Sequence, residues 1–223
     1  MRRRTASFLP VLALVAVVLA LLAVIVVVLL SGASNSHGGR SSESATSVEL
    51  QLGGAQFPGH ISAPPFTLTN QSEDRVSLSD YRGQVVVLSF LYSTCGDTCI
   101  LIGQQIRGAL NELQDEHARL PAVLIVSADP QADTPANVRR FLAEVSLTGR
   151  VQYLTGTPAQ LRAVWHAYEI KPASDGRTVF DEYAPVLLID PAGHKRELFE
   201  SEELTPEGIS HDVERLDGDA THH

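Results

Sequence analysis

Along most of the chain, runs of apolar, often β-branched residues alternate with segments in which apolar residues recur every three or four positions. The first pattern predicts buried strands, and the second predicts helices with one apolar face. The predicted strands are Gln84–Tyr92, Ala122–Ser127, Val151–Leu154 and Pro185–Asp190. The predicted helices are Ile100–Glu116, Pro135–Val145, Pro158–Tyr168 and Thr205–Leu216. Strands that alternate with helices indicate an α/β domain with a mainly parallel central sheet and helices on both faces.

Shorter signals mark the boundaries of these elements. Alternation over Phe66–Thr69 and again over Val76–Leu78, separated by a polar turn, predicts a β-hairpin before the first buried strand. A turn at Pro191–Gly193 joins the last buried strand to Lys195–Phe199, which alternates and is the expected antiparallel edge strand. Two threonines directly precede the prolines that open helices and are the expected N-caps, Thr134 and Thr157.

The most apolar stretch, Phe8–Leu30, contains no charged and no polar side chain. Since about 20 apolar residues cross a bilayer, it predicts a transmembrane anchor after a short N-terminus, residues 1–7. A cleavable signal peptide is the alternative, because Ser31–Ala33 resembles a cleavage site, but its apolar region would be about 7–15 residues long. Three arginines precede the run and no basic residue follows before Arg40, which indicates a single-pass protein of the cell membrane with a cytoplasmic N-terminus.

The exported part divides into a Ser/Gly-rich flexible linker (residues 31–47), one domain (residues 48–216) and a tail expected to be disordered (residues 217–223). Of the 17 basic residues, 14 lie beyond the anchor, together with all 26 acidic residues. The exported part therefore has a formal charge near −12. Such a charge argues against binding to nucleic acid or to an anionic lipid surface.

The chain has two cysteines, Cys95 and Cys99, and both lie between the first buried strand and the helix after it. In α/β sheets, functional groups gather at the carboxyl ends of strands, and a helix N-terminus favours thiolate over thiol. With Cys99 in the first helical turn, the two sulfurs lie close together. They are therefore expected to close a disulfide or to hold one soft metal ion such as Cu(I) or zinc.

The cysteine segment FLYSTCGDTC (residues 90–99) resembles the copper-site loop of the Sco/SenC family, F-x-Y-T-x-C-P-D-x-C-P. Three later segments match further family motifs in the same order: SADPQADTP (127–135), LTGT (154–157) and LIDPAG (188–193). The resemblance covers roughly Pro64–Leu216, which is nearly the whole exported part.

The resemblance implies a thioredoxin-like fold behind one N-terminal membrane helix. Family members bind copper through two cysteines and a histidine and serve cytochrome c oxidase assembly, either by delivering copper to the copper-A centre or by reducing its cysteines. For this chain, the resemblance implies Cys95 and Cys99 as metal ligands and redox residues, and copper as the metal. The implied partner is the copper-A subunit or another thiol or copper protein.

The chain departs from the family at the histidine, where it has Glu182. A carboxylate is a hard ligand and substitutes poorly for imidazole at Cu(I), although two thiolates alone can hold that ion. Gly96 stands at a family proline position, and Asp97 beside it is the expected helix cap. Pro185 is a candidate for the cis-proline of thioredoxin-like reductases. The other histidines are expected to be isolated surface residues: His60, His117, His166, His194 and His211.

Three functions follow from these features. The first is a Sco-like copper-site assembly factor. The second is a copper-independent thiol–disulfide oxidoreductase, in which one cysteine attacks a substrate disulfide and the other resolves the mixed disulfide. The third is a non-enzymatic, membrane-tethered binding module whose disulfide is structural.

Overall fold

The structure, a computed structural model, describes residues 54–170 and 184–221. The strands of this part are β1 (Ala55–Ser62), β2 (Thr67–Thr69), β3 (Arg75–Ser77), β4 (Val86–Leu91), β5 (Ala122–Ser127), β6 (Gln152–Leu154), β7 (Val186–Ile189) and β8 (His194–Phe199). Its helices are α1 (Asp97–Asp115), α2 (Pro135–Glu144), α3 (Pro158–Ala167) and α4 (Pro206–Thr221), and a 3-10 turn covers Leu78–Tyr81. None of these helices is both long and apolar enough to cross a membrane. The apolar run Phe8–Leu30 lies outside the described residues.

Six strands form one sheet in the order β1-β8-β7-β4-β5-β6. The pairs β4–β5 and β5–β6 are parallel, whereas β4–β7, β7–β8 and β1–β8 are antiparallel. The sheet is therefore mixed, and the expectation of a mainly parallel sheet is wrong. The direction changes between the last two core strands, because β6 runs parallel to β5 whereas β7 runs antiparallel to β4.

Strand β1 occupies the edge position that the sequence pattern assigned to β8. It pairs with β8 from Ala55 opposite Leu198 to Ser62 opposite His194, with a register shift in between. The sequence pattern misses this strand because its residues, AQFPGHIS, include a proline and a glycine that interrupt the alternation. A proline is tolerated there because an edge strand has one unpaired side.

Helices cover both faces of the sheet, as the sequence pattern predicts. All six residues of β4 are buried, which agrees with a central strand. The register across β4, β5 and β6 puts Tyr153 on the same face as Ser89, and the ring of Phe141 from α2 contacts Tyr153 there. On the opposite face, the ring of Phe90 lies 5.5 Å from that of Tyr168, directly after α3.

The boundary signals in the sequence are confirmed for the hairpin and for two helices. Strands β2 and β3 pair in antiparallel fashion across a turn in which the Asn70 side chain accepts two backbone N–H groups. The Thr134 hydroxyl accepts a hydrogen bond from the Asn137 N–H at the start of α2. The Thr157 hydroxyl does the same for the Gln160 N–H at the start of α3.

Helix α4 extends beyond Leu216, where the sequence pattern ends it. Residues 217–221 are helical, so the expected disordered tail does not begin at Asp217. Asp217 accepts a hydrogen bond from the Arg119 guanidinium at 3.3 Å, and the Ser210 hydroxyl donates to Glu112 of α1 at 2.7 Å. These contacts join α4 to α1 and to the loop after α1.

Candidate redox and metal site

The structure brings the two cysteines together at the carboxyl end of β4, as the sequence predicts. Cys95 lies in the loop after β4 and Cys99 lies in the first turn of α1. Their Cα atoms are 5.8 Å apart and their sulfur atoms form a disulfide. The neighbouring parallel strand β5 ends at the same edge of the sheet, so the pair lies where α/β proteins place reactive groups.

The two sulfurs differ in how far solvent reaches their residues. Cys99 is 0% exposed, whereas Cys95 is 7% exposed and has exposed neighbours at Thr94, Gly96 and Asp97. A partner molecule can therefore approach the disulfide from the Cys95 side. In thiol–disulfide exchange the attacked sulfur must be accessible, and the buried sulfur is the leaving group.

Helix α1 begins without a side-chain cap. Gly96 is the N-cap residue and Asp97 is the first helical residue, so the expectation that Asp97 caps the helix is wrong. A glycine cap leaves the backbone N–H groups of the first turn without a side-chain acceptor from the cap position. Together with the positive end of the helix dipole, these groups favour a thiolate at Cys95 or Cys99 once the disulfide is reduced.

The buried carboxyl group of Asp133, a residue that is 7% exposed, holds the loop that carries Cys95 by hydrogen bonds. Its oxygens accept hydrogen bonds from the Ser93 N–H (2.6 Å), the Ser127 hydroxyl (2.5 Å) and the Tyr153 hydroxyl (2.8 Å). Burial raises the pKa of Asp133, and these hydrogen bonds oppose that shift. Because Ser93 is two residues before Cys95, Asp133 positions the cysteine loop against the end of β5.

The SADPQADTP segment therefore positions this carboxyl group. The Asp129 side chain accepts the N–H groups of Gln131 and Ala132 and closes a tight turn. That turn brings Asp133 back to the sheet edge, and Thr134 then caps α2. From the sequence alone, this segment is recognised only as a match to a family motif. An aspartate in the loop after a buried strand that ends beside the cysteines is the signal that could have identified its role.

The other residues that the sequence singles out make no part of the disulfide. Glu182 lies outside the described residues. Pro185 has a trans peptide bond, as do all described residues, and its carbonyl accepts a hydrogen bond from the Ser89 hydroxyl at 3.1 Å. His117, His166 and His211 are exposed, as expected.

The expectation that every other histidine is isolated is wrong for one pair. The rings of His60 and His194 lie 5.1 Å apart. Sequence spacing does not reveal this contact because the two residues come from strands at opposite ends of the domain sequence.

The donor atoms of the cysteine pair suit a soft metal ion only in the reduced state. Two thiolates one helical turn apart can share one Cu(I) ion, whereas disulfide sulfurs have no thiolate to offer. Among residues 54–170 and 184–221, no group of three or more His, Cys, Asp or Glu side chains is arranged to hold a metal. The described residues therefore fit a two-sulfur site whose use depends on reduction.

Comparison with known proteins gives one consistent family. A family model described as SCO1/SenC matches residues 55–217. Protein SCO1 homolog 2, mitochondrial, of Arabidopsis thaliana is 30% identical over 137 residues, which are 60% of this chain and 49% of that protein. The chain spans about half the length of the curated relatives that it matches.

Solved structures of the same family share the fold. BsSco, a member of the Sco family of cytochrome c oxidase assembly proteins for which a disulfide switch was identified, superimposes with a TM-score of 0.63 at 23% identity, over 74% of this chain and 98% of its own. The copper-bound structure of ScoI from Bradyrhizobium japonicum has a TM-score of 0.52 at 27% identity, over 70% of this chain and 99% of its own. The thioredoxin-like α/β fold of the Sco proteins is therefore confirmed.

Proposed function

Because the chain belongs to the Sco/SenC family, we propose that it acts in assembly of the copper-A centre of cytochrome c oxidase through Cys95 and Cys99. The observation that carries this proposal is the disulfide between these two residues at the N-terminus of α1. Of the two residues, only Cys95 is partly exposed to solvent. A pair in this place can both exchange electrons with a partner and hold a soft metal ion when reduced.

The redox step begins with the reduced pair. The Cys95 thiolate attacks a disulfide of the partner, one partner sulfur leaves as a thiolate, and a mixed disulfide forms. The Cys99 thiolate then attacks the Cys95 sulfur and releases the second partner thiolate. Two electrons pass to the partner, which ends as a dithiol after proton uptake, and the chain ends with the Cys95–Cys99 disulfide.

The metal step uses the same reduced pair, with copper as cargo. Cys95 and Cys99 would hold one Cu(I) ion between their thiolates, and binding releases the thiol protons. Ligand exchange with thiolates or imidazoles of the partner, the copper-A subunit or another thiol or copper protein, would then transfer the ion. The positive end of the α1 dipole favours the thiolate form at this site.

A second candidate function is thiol–disulfide exchange without copper. It is favoured by the chain's own residues, because Glu182 replaces the family histidine and the described residues offer no third ligand beside the two sulfurs. In this case the redox step above is the whole function, and the partner is a disulfide-containing protein outside the cell.

A Cu(I) titration of the reduced full-length chain against a competing chelator separates the candidates. The copper proposal predicts one Cu(I) per chain, lost in both Cys95→Ser and Cys99→Ser, unchanged in the control His117→Ala, and tighter in Glu182→His. Negligible Cu(I) binding together with a readily reversible disulfide supports the copper-independent oxidoreductase. A disulfide that resists reduction, with no Cu(I) binding, overturns both and leaves a structural disulfide.

We also propose that the domain lies outside the cell membrane behind an uncleaved anchor, Phe8–Leu30. Its support is the length of the apolar run and the three arginines before it. Alkaline extraction of membranes tests the proposal, because an anchored chain stays in the pellet at full mass. A cleaved signal peptide would give a lighter chain in the supernatant.

A further inference from the structure

Two histidines meet at the end of the sheet that lies away from the cysteines. His60 is on the edge strand β1 and His194 is the first residue of β8. Their ring centroids are 5.1 Å apart and their planes are inclined by 60°. Ile189 lies just before the turn that leads to His194 and pairs with Val86 at the start of β4. Cys95 follows the opposite end of β4. The six residues of β4 separate the two places by about 16 Å.

A carboxylate orients one of the two rings. Asp190 accepts a hydrogen bond from the His194 backbone N–H at 2.8 Å, and its other oxygen lies 3.4 Å from Nδ1 of the His194 ring. Arg196 donates to the same oxygen of Asp190 at 3.1 Å. With a carboxylate beside Nδ1, Nε2 is the nitrogen of the His194 ring that is available to a metal ion.

We propose that His60 and His194 form a binding site for a divalent transition-metal ion, with Cu²⁺ bound more tightly than Zn²⁺. A metal–nitrogen bond of 2.0–2.1 Å places each ring centroid about 3.2 Å from the metal. Two imidazoles that bind one ion at an angle of about 90–110° then have centroids about 4.5–5.2 Å apart. The observed 5.1 Å falls within this range. Imidazole suits copper and zinc, and the general order of affinities puts Cu²⁺ above Zn²⁺.

The surroundings allow a cation to bind here. Both rings line a cavity of about 640 Å³, which leaves room for water on the remaining positions of the ion. The two arginines of this cavity are each paired with a carboxylate, Arg196 with Asp190 at 3.1 Å and Arg119 with Asp217 at 3.3 Å. Asp219 adds a further carboxylate to the lining. The guanidinium of Arg82 donates to the Ala192 carbonyl of the same lining, so the formal charges around the rings balance and do not exclude a cation.

A zinc titration of the oxidised full-length chain tests this site without involving the cysteine sulfurs. All chains carry His222→Ala and His223→Ala, so that the adjacent C-terminal histidines add no second site. We expect one Zn²⁺ per chain, and an affinity at least 10-fold lower in His60→Ala and in His194→Gln. The matched control is His117→Ala, which removes another exposed histidine and should leave the affinity unchanged.

Two further measurements make the outcome decisive. Electron paramagnetic resonance of the Cu²⁺-loaded chain should show coupling to two imidazole nitrogens, reduced to one in His60→Ala. Cys95→Ser should bind Zn²⁺ as the parent does, so that failure of the cysteine proposals leaves this test intact. Absence of zinc binding in the parent, or equal affinity in the folded His60→Ala chain, would overturn the proposal.

Discussion

Asp133 and Asp190 each hold a backbone N–H group of the loop beside them, but at opposite ends of the sheet. Asp133 accepts from the Ser93 N–H next to the cysteines, and Asp190 accepts from the His194 N–H next to the histidines. Both are 7% exposed, yet their other partners differ. Asp133 is bound by two neutral hydroxyl groups, whereas Asp190 is paired with the guanidinium of Arg196.

The difference shows two ways in which a protein stabilises a buried carboxyl group. Burial raises the pKa of Asp133, because neutral donors offset only part of the lost hydration. At Asp190 burial acts in the same direction, but hydrogen bonds from His194 and Arg196 outweigh it and lower the pKa. The cysteine loop is thus fixed by a buried hydrogen-bond network of neutral donors. The loop at the histidines is held by an ion pair whose arginine is partly exposed.

Removal of the Asp133 side chain should have the largest effect on stability. Asp133→Ala leaves the Ser93 N–H and the Ser127 and Tyr153 hydroxyls without their acceptor in a buried place. Each such group costs about 1–3 kcal/mol, so we expect the free energy of unfolding to fall by about 3–5 kcal/mol. The matched variant Asp190→Ala should lose about 1–2 kcal/mol, because its donors can reach water. Urea unfolding followed by the fluorescence of Trp165 measures both, and equal losses would contradict the comparison.

The next effect is the difference in reactivity between the two cysteines. In the reduced chain, a small alkylating reagent should modify Cys95 at least 10-fold faster than Cys99, because only Cys95 has an exposed fraction. Asp133→Asn should narrow this ratio, since a loosened loop exposes Cys99, whereas Asp190→Asn should leave it unchanged. Fragmentation of the tryptic peptide 83–107, which carries both cysteines, in a mass spectrometer after short reaction times gives the ratio. Faster alkylation of Cys99 in the parent chain would reverse the proposed roles of the two sulfurs.

The parts of the fold that depend on local physics could be predicted from the sequence. Apolar runs identified the buried strands, and the threonine–proline pairs at Thr134 and Thr157 identified helix starts, because both signals act over a few residues. The meeting of Cys95 and Cys99 was predictable for the same reason, since one helical turn brings positions four apart together.

What could not be predicted depends on long-range packing. Strand β7 runs antiparallel to β4, and its apolar run carries no signal of that direction. The edge strand β1 was missed because its proline and glycine hide the alternation. The contact of His60 with His194 arises only when distant strands are assembled, so no local pattern contains it.

Two glycines with similar backbone angles differ in their surroundings, since one lies beside the histidines and the other in an open turn. Gly193 (φ +84°) and Gly149 (φ +76°) both adopt a backbone conformation that side chains disfavour. A Cβ at Gly149 meets open space, whereas at Gly193 it meets the guanidinium of Arg82, which donates to the Ala192 carbonyl. We expect Gly149→Ala to cost about 1 kcal/mol and Gly193→Ala about 1.5–2.5 kcal/mol, since the second also displaces that hydrogen bond. In an Arg82→Ala background the two costs, measured by urea unfolding, should become similar, and a persistent gap would show that another contact is responsible.

The smallest expected effect is a pair of opposite slopes in stability against pH. The pKa of Asp190 is lowered in the folded state, so its contribution is present above its ordinary pKa of 3.8 and is lost as the pH falls through the folded value. The pKa of Asp133 is raised, so its contribution is complete below 3.8 and is lost as the pH rises through the folded value. From pH 6 to pH 3, the stability of the parent should therefore fall relative to Asp190→Asn and rise relative to Asp133→Asn. Urea unfolding at pH 6, 5, 4 and 3 measures both differences. Slopes of the same sign would mean that the two carboxyl groups do not differ in the way their partners indicate.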